Sequence, residues 1–374
     1  MKRILIFIIL FISSLQGLYS QIFQDEYNTR QDSLITEGQV YLRLQGSTWF
    51  YNNEYFNPFY KGYTLIGGGF QPTIVYQSSP KLQISVGADF LQFYGINEKL
   101  RIKPLFSLEY KPNENFSVLM GSYNGGENHK MTEAMFSFEN HLRNLVENGI
   151  LIRFNNTRVK SETWLNWESF IEPGDTFQEA FTAGSSNRIM LFEKEVWNLS
   201  LPVCLLAHHS GGQINNNASH IETLINISEG LKVVRNFRLS HFQSAYSEFT
   251  FYQNTGDYKP IGGTAISFKT GLQLTHIELN AEYFYGDYFR CFAGNPILSI
   301  PLPNSLNPIT DPHYTAEREM LNFKAGYKQK IGMNSFLFLR LEGYYFTKTG
   351  NLDYSYSLHL QAEDFLKIFN FKRN

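Results

Sequence analysis

The chain has 374 residues with 33 Phe, 23 Tyr and 4 Trp, yet only 43% of its residues are hydrophobic. Disordered chains are poor in aromatic residues, and helical membrane proteins carry apolar runs of about 18 residues or more, so the bulk of the chain fits neither class. The 32 basic and 34 acidic residues give a formal charge of -2, which excludes a global basic field for nucleic acid.

The N-terminus has the pattern of a signal peptide. Lys2 and Arg3 precede a short apolar segment, Ile4 to Ile12, and a more polar stretch that ends at Ser20. We expect residues 1–20 to be cleaved before Gln21 and residues 21–38 to form a polar periplasmic lead-in. Export would place the mature chain in an oxidising space, where Cys204 and Cys291 could pair if the fold brings them together.

From residue 39 onwards the dominant pattern is an alternation of apolar and polar side chains. It is clear in 82–90, 266–274, 277–285 and 321–328. Alternation of this kind predicts β-strands with one apolar face. The runs approach the 9 to 11 residues of a tilted membrane strand, and Tyr and Phe stand at their ends (283–285 and 344–346), as in interfacial girdles. Charged residues on the other face fit a wet lumen and not a sandwich core.

The connections alternate between tight and long. Tight turns are predicted near 78–80, 112–114, 155–156 and 332–334, and long polar loops at 122–148, 209–220 and 286–316. This asymmetry is typical of an outer-membrane barrel. At roughly 20 residues per strand and connection, the chain predicts an all-β, closed antiparallel transmembrane β-barrel of about 16 strands, in a range of 14–18, forming a single domain over 39–374.

In these features the chain resembles the porin-like class of Gram-negative outer-membrane β-barrel proteins. The resemblance implies outer-membrane localisation, contact with outer-membrane lipid and insertion by the barrel assembly machinery. Members of that class usually end on an aromatic residue; here Phe371 stands three residues before the terminus. Thr132 to Gly149 departs from the strand pattern, with Thr132 as a candidate N-cap, and predicts a short helix within a long loop.

The most enzyme-like stretch is His208-His209-Ser210-Gly211-Gly212. It resembles the His-x-Ser-Asn-Gly stretch of outer-membrane phospholipases and the His-x-Ser of lipid A deacylases. The resemblance implies Ser210 as nucleophile, His208 as general base and Glu222 as the group that orients the imidazole. Strand parity, however, places His208 and Ser210 on the lumen side, unless a bulge resets the register. The alternative is a polar strand end before a Gly-rich loop, and an enzyme is the less favoured hypothesis.

A second candidate cluster contains Trp164, Asn166 and Glu168, which share the inward parity. An inward Trp beside carboxylate and amide groups is the composition of a saccharide-binding surface, although an ordinary lumen strand before a tight Pro-Gly-Asp turn is the favoured explanation. The predicted lumen lining contains charges of both signs: Lys103, Arg158, Glu282, Lys324 and Arg340. No spacing indicates a metal site, and no cofactor motif is present.

The sequence thus predicts a channel or binding pore for hydrophilic solutes, and the mixed charges favour neutral saccharides. Two alternatives stay open: a surface component that binds or exports polysaccharide, and an outer-membrane esterase or deacylase that uses Ser210 and His208. The sequence does not decide whether the lumen is open or plugged.

Overall fold

The structure is a computed structural model that describes residues 36–95, 97, 99–125, 129–214, 221–237, 239, 241–257, 262–300 and 316–371. The predicted signal peptide and most of the lead-in therefore lie outside the described residues. Within these ranges, no helix is long and apolar enough to cross a membrane.

Sixteen antiparallel strands form one closed barrel, in which each strand pairs with its neighbours in sequence and β1 pairs with β16. This confirms the predicted fold class and the predicted strand number. The strands are β1 Gln39–Glu54, β2 Thr64–Ser79, β3 Leu82–Phe93, β4 Arg101–Asn113, β5 Phe116–Tyr123, β6 Glu147–Asn155, β7 Val159–Ser169, β8 Ala180–Glu193, β9 Trp197–Ser210, β10 Glu222–Asn236, β11 Phe242–Gly256, β12 Gly263–Leu274, β13 Ile277–Asp287, β14 Glu317–Gly332, β15 Ser335–Phe346 and β16 Leu352–Asn370.

The two rims differ, as the sequence predicted. One rim carries connections of two to five residues and both chain ends, and we call it the short-turn rim. Asx turns build part of it: the Asn156 side chain accepts hydrogen bonds from the backbone N–H groups of Arg158 and Val159, at 2.8 and 2.7 Å. The other rim, the long-loop rim, carries loop 3 (residues 124–146) and loop 7 (residues 288–316).

Alternation along the strands separates an apolar outer surface from a polar lumen. Outward residues such as Phe268, Phe323 and Leu341 are more than half exposed, whereas inward Glu282 and Glu342 are buried. A barrel with a lipid-facing apolar surface and a polar interior is the arrangement of outer-membrane proteins.

The aromatic triplets at the strand ends do not act as girdles throughout. Tyr283 and Tyr345 face outwards, but Phe284, Tyr344 and Phe346 are at most 4% exposed and point into the lumen. Successive residues of a strand face opposite sides, so a triplet cannot present all three rings to lipid.

The predicted short helix is present inside the barrel. Helix α1 spans Phe138–Arg143 in loop 3, and its N-cap is Ser137, whose hydroxyl accepts from the Glu139 N–H group. Thr132, the cap expected from the sequence, lies one turn too early, because residues 132–136 form turns before the helix begins. Loop 3 therefore folds into the lumen instead of lying over the mouth.

Candidate functional site

Two inward-folded loops close the outer half of the lumen. The plug, as we define it, comprises residues 129–146 of loop 3 and 288–300 of loop 7. Its loops are joined by backbone hydrogen bonds from Ser137 to Ala293 at 2.7 Å and from Asn295 to Glu133 at 2.8 Å. Met131, Met135 and Phe136 of loop 3 pack with Phe289, Cys291, Ile297 and Leu298 of loop 7 and with inward wall residues that include Leu206, Tyr252 and Phe284.

His129 anchors the plug to the barrel wall. Its Nε2 lies 2.9 Å from the Glu147 carboxylate, and its Nδ1 lies 2.9 Å from the Glu162 carboxylate. The imidazole also stacks on the Trp164 ring with 3.7 Å between centroids. Burial lowers the pKa of His129, but the two carboxylates outweigh burial and raise it to about 9. His129 is therefore an imidazolium at neutral pH, with both N–H groups donating to carboxylates.

Glu133 provides the second anchor on the opposite wall. Its carboxylate pairs with the Arg340 guanidinium and lies 3.3 Å from Lys324 Nζ. Both cations also pair with Glu342, at 2.6 Å for Lys324 and 2.7 Å for Arg340. Burial raises the pKa of Glu133, but Lys324 and Arg340 outweigh it and hold the pKa below its usual value. The plug is thus held by charged contacts on both sides of the barrel.

The backbone next to the first anchor is strained. His129 and Lys130 are consecutive non-glycine residues with φ of 50° and 60°. Such residues cost about 1–3 kcal/mol each and persist only where the surroundings hold them. The two ion pairs and the ring stack of His129 supply that constraint.

Below the plug lies a cavity of about 310 Å³, which we call the vestibule. Residues 130–133 of loop 3 form its roof, and its wall extends to Lys160, Ser244 and Gln273 near the short-turn rim. Lysine and arginine outnumber carboxylates among its lining residues by seven to four. The lumen is therefore divided into a filled outer half and a charged inner half.

A second cluster lies on the inward face at the long-loop rim, where strands β7, β8 and β9 each contribute one side chain. The Thr182 hydroxyl donates to the Glu168 carboxylate, and Thr182 Oγ1 lies 3.1 Å from His208 Nδ1. Glu168 Oε2 itself lies 3.9 Å from His208 Nδ1. The ring of Phe292 in loop 7 stacks on the His208 imidazole, with 3.3 Å between the two ring centroids.

Strand pairing fixes the position of Ser210 relative to this cluster. Ser210 is the next inward residue after His208 on β9, and it pairs directly with Glu222 on β10. The pairing is continuous from Ala207 to Ser210 on both sides, so no bulge turns these residues towards lipid. We call Glu168, Thr182, His208, Ser210 and Glu222 the rim cluster. The resemblance of the His-x-Ser stretch implied Glu222 as the partner of His208. In the structure, the carboxylate beside His208 Nδ1 is that of Glu168.

His209 faces the opposite way. Its Nδ1 lies 2.9 Å from Thr223 Oγ1 and its Nε2 lies 2.9 Å from the Gly211 carbonyl oxygen. Its ring packs beside Phe181, which stacks on the exposed ring of Trp167. The two adjacent histidines thus stand on opposite sides of the wall, and only His208 belongs to the rim cluster.

The sequence of this chain also matches the model of a known protein family. A sequence model described as lipid A 3'-O-deacylase-type matches residues 28–371, which is most of the chain. The chain belongs to the lipid A 3'-O-deacylase-type family. No curated protein sequence matches it significantly.

Solved structures of other proteins have a fold similar to that of this lipid A deacylase-type chain. The Pseudomonas aeruginosa protein OccK2 (OpdF) is 9% identical with a TM-score of 0.50, covering 88% of this chain and 99% of that chain. The outer membrane protein opdK from Pseudomonas aeruginosa is 7% identical with a TM-score of 0.50, covering 88% and 100%. At such identities the likeness concerns the barrel alone.

Most of the predicted lumen residues of the deacylase-type barrel do face inwards. Lys103 lies 3.5 Å from Asn144 of loop 3, Asn166 accepts from the Asn148 N–H group, and Glu282 lies 3.8 Å from Lys269. Arg158 was placed wrongly: it lies exposed in the turn between β6 and β7. The turn spans residues 156–158, whereas the sequence predicted it at 155–156.

Trp164 is inward as predicted, but its environment differs from a saccharide platform. It is 3% exposed, and His129 covers its ring face. Among the described residues, no group of three or more His, Cys, Asp or Glu is placed to hold a metal ion. Cys204 and Cys291 are both buried free thiols, one on the wall and one in the plug.

The anchors His129 and Glu133 were missed by sequence reasoning. Both lie in a loop, where no periodicity relates a residue to its surroundings, and their partners are up to 207 positions away. A buried charge in a loop becomes recognisable only when the opposite wall is known.

Proposed function

We propose that this protein hydrolyses an acyl ester at the outer mouth of the barrel, with Ser210 as nucleophile and His208 as general base. The observation that carries the proposal is the hydrogen-bonded series Glu168, Thr182, His208 on three adjacent strands, with Ser210 next on the same inward face. Membership of the lipid A 3'-O-deacylase-type family supports ester hydrolysis as the chemistry.

The hydrogen bonds favour one tautomer of His208. Because the Thr182 hydroxyl donates to Glu168, its oxygen can accept a hydrogen bond from His208 Nδ1–H. Nε2 is then the unprotonated nitrogen, as a general base requires. Ser210 Oγ would attack the ester carbonyl while Nε2 takes the hydroxyl proton; the alcohol leaves with that proton, and water then hydrolyses the acyl-serine to release the acid.

The inward direction of the site restricts the substrate. An ester buried among acyl chains cannot reach Ser210 through the barrel wall. The substrate would therefore present its ester from the polar side, over the long-loop rim, as an acylated saccharide headgroup can do. Phe292, which is 40% exposed and covers the His208 ring, would offer an apolar surface to the acyl chain.

The test is the mass of lipid A, and of an acylated saccharide, after incubation with purified protein in outer-membrane lipid. We expect loss of one ester-linked acyl chain with the wild type, and a rate lowered by roughly 10⁶-fold in Ser210→Ala and His208→Gln, as for other nucleophile and base deletions. Glu168→Gln should lower the rate less, because it acts through Thr182.

His209→Gln is the matched control. It removes the adjacent histidine on the other face of the same strand and should keep the wild-type rate. Hydrolysis that persists unchanged in Ser210→Ala, or that is lost equally in His209→Gln, would contradict the assignment.

A second candidate function is a channel or binding pore for hydrophilic solutes, including neutral saccharides. The vestibule favours it, since it holds a solute-sized space inside the lumen. The plug fills the path above, so conduction would require its displacement. Planar-bilayer recordings should show little conductance for the wild type and more for His129→Gln; zero conductance for both would refute this function.

A further inference from the structure

We propose that the vestibule is a binding site for a small multivalent anion bearing carboxylate or phosphate groups, entering from the short-turn rim. The proposal is independent of ester hydrolysis at the rim cluster, because the two sites lie on opposite sides of the plug. It also differs from the neutral saccharide that the balanced charge of the sequence favoured.

Three residues with cationic side chains, Lys130, Lys160 and Arg188, line one side of the vestibule. Lys160 on β7 and Arg188 on β8 are direct register partners on the inward face. The Lys130 carbonyl of the plug accepts a hydrogen bond at 3.4 Å from Ser186, the inward residue next to Arg188 on β8. Arg188 interacts electrostatically with Glu248 of β11, so Lys130 and Lys160 are the two cations of this side whose charge is not compensated by a described residue.

The structure supplies no carboxylate for two of these cations. Neither Lys130 nor Lys160 forms an ion pair with any residue that the structure describes. On the other walls the cations are neutralised: Lys232 lies 3.1 Å from Glu248, and Lys324 lies 2.6 Å from Glu342. The charge excess of the lining is therefore concentrated where the plug meets β7 and β8.

An unpartnered polar group also lines the vestibule. The Thr250 side chain on β11 is 3% exposed, and its hydroxyl has no hydrogen-bond partner among the residues that the structure describes. A buried hydroxyl without a partner destabilises the structure, and a ligand oxygen in the cavity would satisfy it. The ligand would thus contact ammonium groups on one wall and a hydroxyl donor on another.

The size and shape of the vestibule set the ligand class. Its volume of about 310 Å³ holds a small organic molecule, and the roof formed by residues 130–133 separates it from the long-loop rim. A multivalent anion gains charge-assisted hydrogen bonds from each ammonium group that it reaches, whereas a neutral sugar leaves the excess charge uncompensated.

Citrate and inorganic pyrophosphate serve as probes, and sucrose as the neutral comparison. Binding is measured by isothermal titration calorimetry on detergent-purified full-length protein at low salt. We expect at least one anion to bind, sucrose to give no heat, and the affinity to fall at high salt. Lys160→Gln and Lys130→Gln should each weaken anion binding by about tenfold, the loss of one charge-assisted contact.

Lys61→Gln is the control, since it removes the same charge from the exposed loop between β1 and β2 at the other rim. It should bind like the wild type. If Lys160→Gln fails to fold, Lys130→Gln and the comparison of anions with sucrose decide the question. The proposal is overturned if neither anion binds the wild type, if sucrose binds as well as they do, or if Lys61→Gln weakens binding as much as the vestibule variants.

Discussion

The charge on His129 makes docking of the plug depend on pH in a defined direction. With the plug withdrawn, His129 would meet water and have its ordinary pKa of 6.5, whereas in the docked plug the pKa is about 9. A group whose pKa is raised by docking stabilises the docked state fully below pH 6.5 and loses that contribution as the pH rises through 9. The shift is about 2.5 pKa units, so at about 1.4 kcal/mol per unit the contribution is about 3.4 kcal/mol, or a factor of about 300 in the docking equilibrium.

Cys291 reports on the docked state. Burial raises the pKa of its thiol to about 12, and its Sγ lies 3.1 Å from the Met135 carbonyl oxygen across the contact of loops 3 and 7. In a Cys204→Ser background it is the single thiol, so the rate of maleimide labelling measures plug opening. Dividing the rate in denaturant by the rate in the folded barrel at the same pH removes the intrinsic pH dependence of thiol reactivity.

We expect this protection of Cys291 to fall about 200-fold between pH 6 and pH 10. His129→Gln should begin with low protection and show little further change, while the outward His209→Gln should behave as the wild type. The reasoning would be refuted by protection that is independent of pH in the wild type, or by a pH dependence that survives in His129→Gln.

Three further results are expected. Glu133→Gln leaves the partly buried cations of β14 and β15 with one carboxylate instead of two, and should weaken plug docking by about 1–3 kcal/mol, read from Cys291 labelling; unchanged protection would count against that anchor. Gly121→Ala, at φ 111° and with a Cβ that would lie 2.0 Å from the Phe106 carbonyl oxygen, should lower the midpoint of urea unfolding. Phe323→Arg on the lipid-facing side should cost about 2–4 kcal/mol in refolding into vesicles, and a neutral effect would mean that this face does not meet lipid.

The alternation of apolar and polar residues was sufficient to predict the barrel. Each strand of a closed barrel exposes one face to lipid and one to the lumen, so a local pattern of period two carries the fold class, the direction of each side chain and the approximate strand number. Turn residues such as Asn156 also made the short turns of one rim predictable from the sequence. An Asx turn forms between residues that are neighbours in the chain, so its residues can be recognised locally.

The inward direction of His208 and Ser210 followed from the same parity, and the uninterrupted pairing of β9 agrees with it. The carboxylate beside His208 did not follow. Glu168 and Glu222 both lie on inward faces near the long-loop rim, and only the stagger between neighbouring strands brings Glu168, through Thr182, to the imidazole.

The sequence by itself therefore determined the wall of the barrel, and the tertiary structure decided what fills it. Whether the lumen is open depends on contacts such as His129 with Glu162 and Glu133 with Arg340, which join a loop to distant strands. Loop residues have no fixed period relative to the wall, so their partners appear only once the barrel has closed. The balanced net charge of the chain likewise concealed a cationic vestibule, because a sum over residues carries no information about where the charges meet.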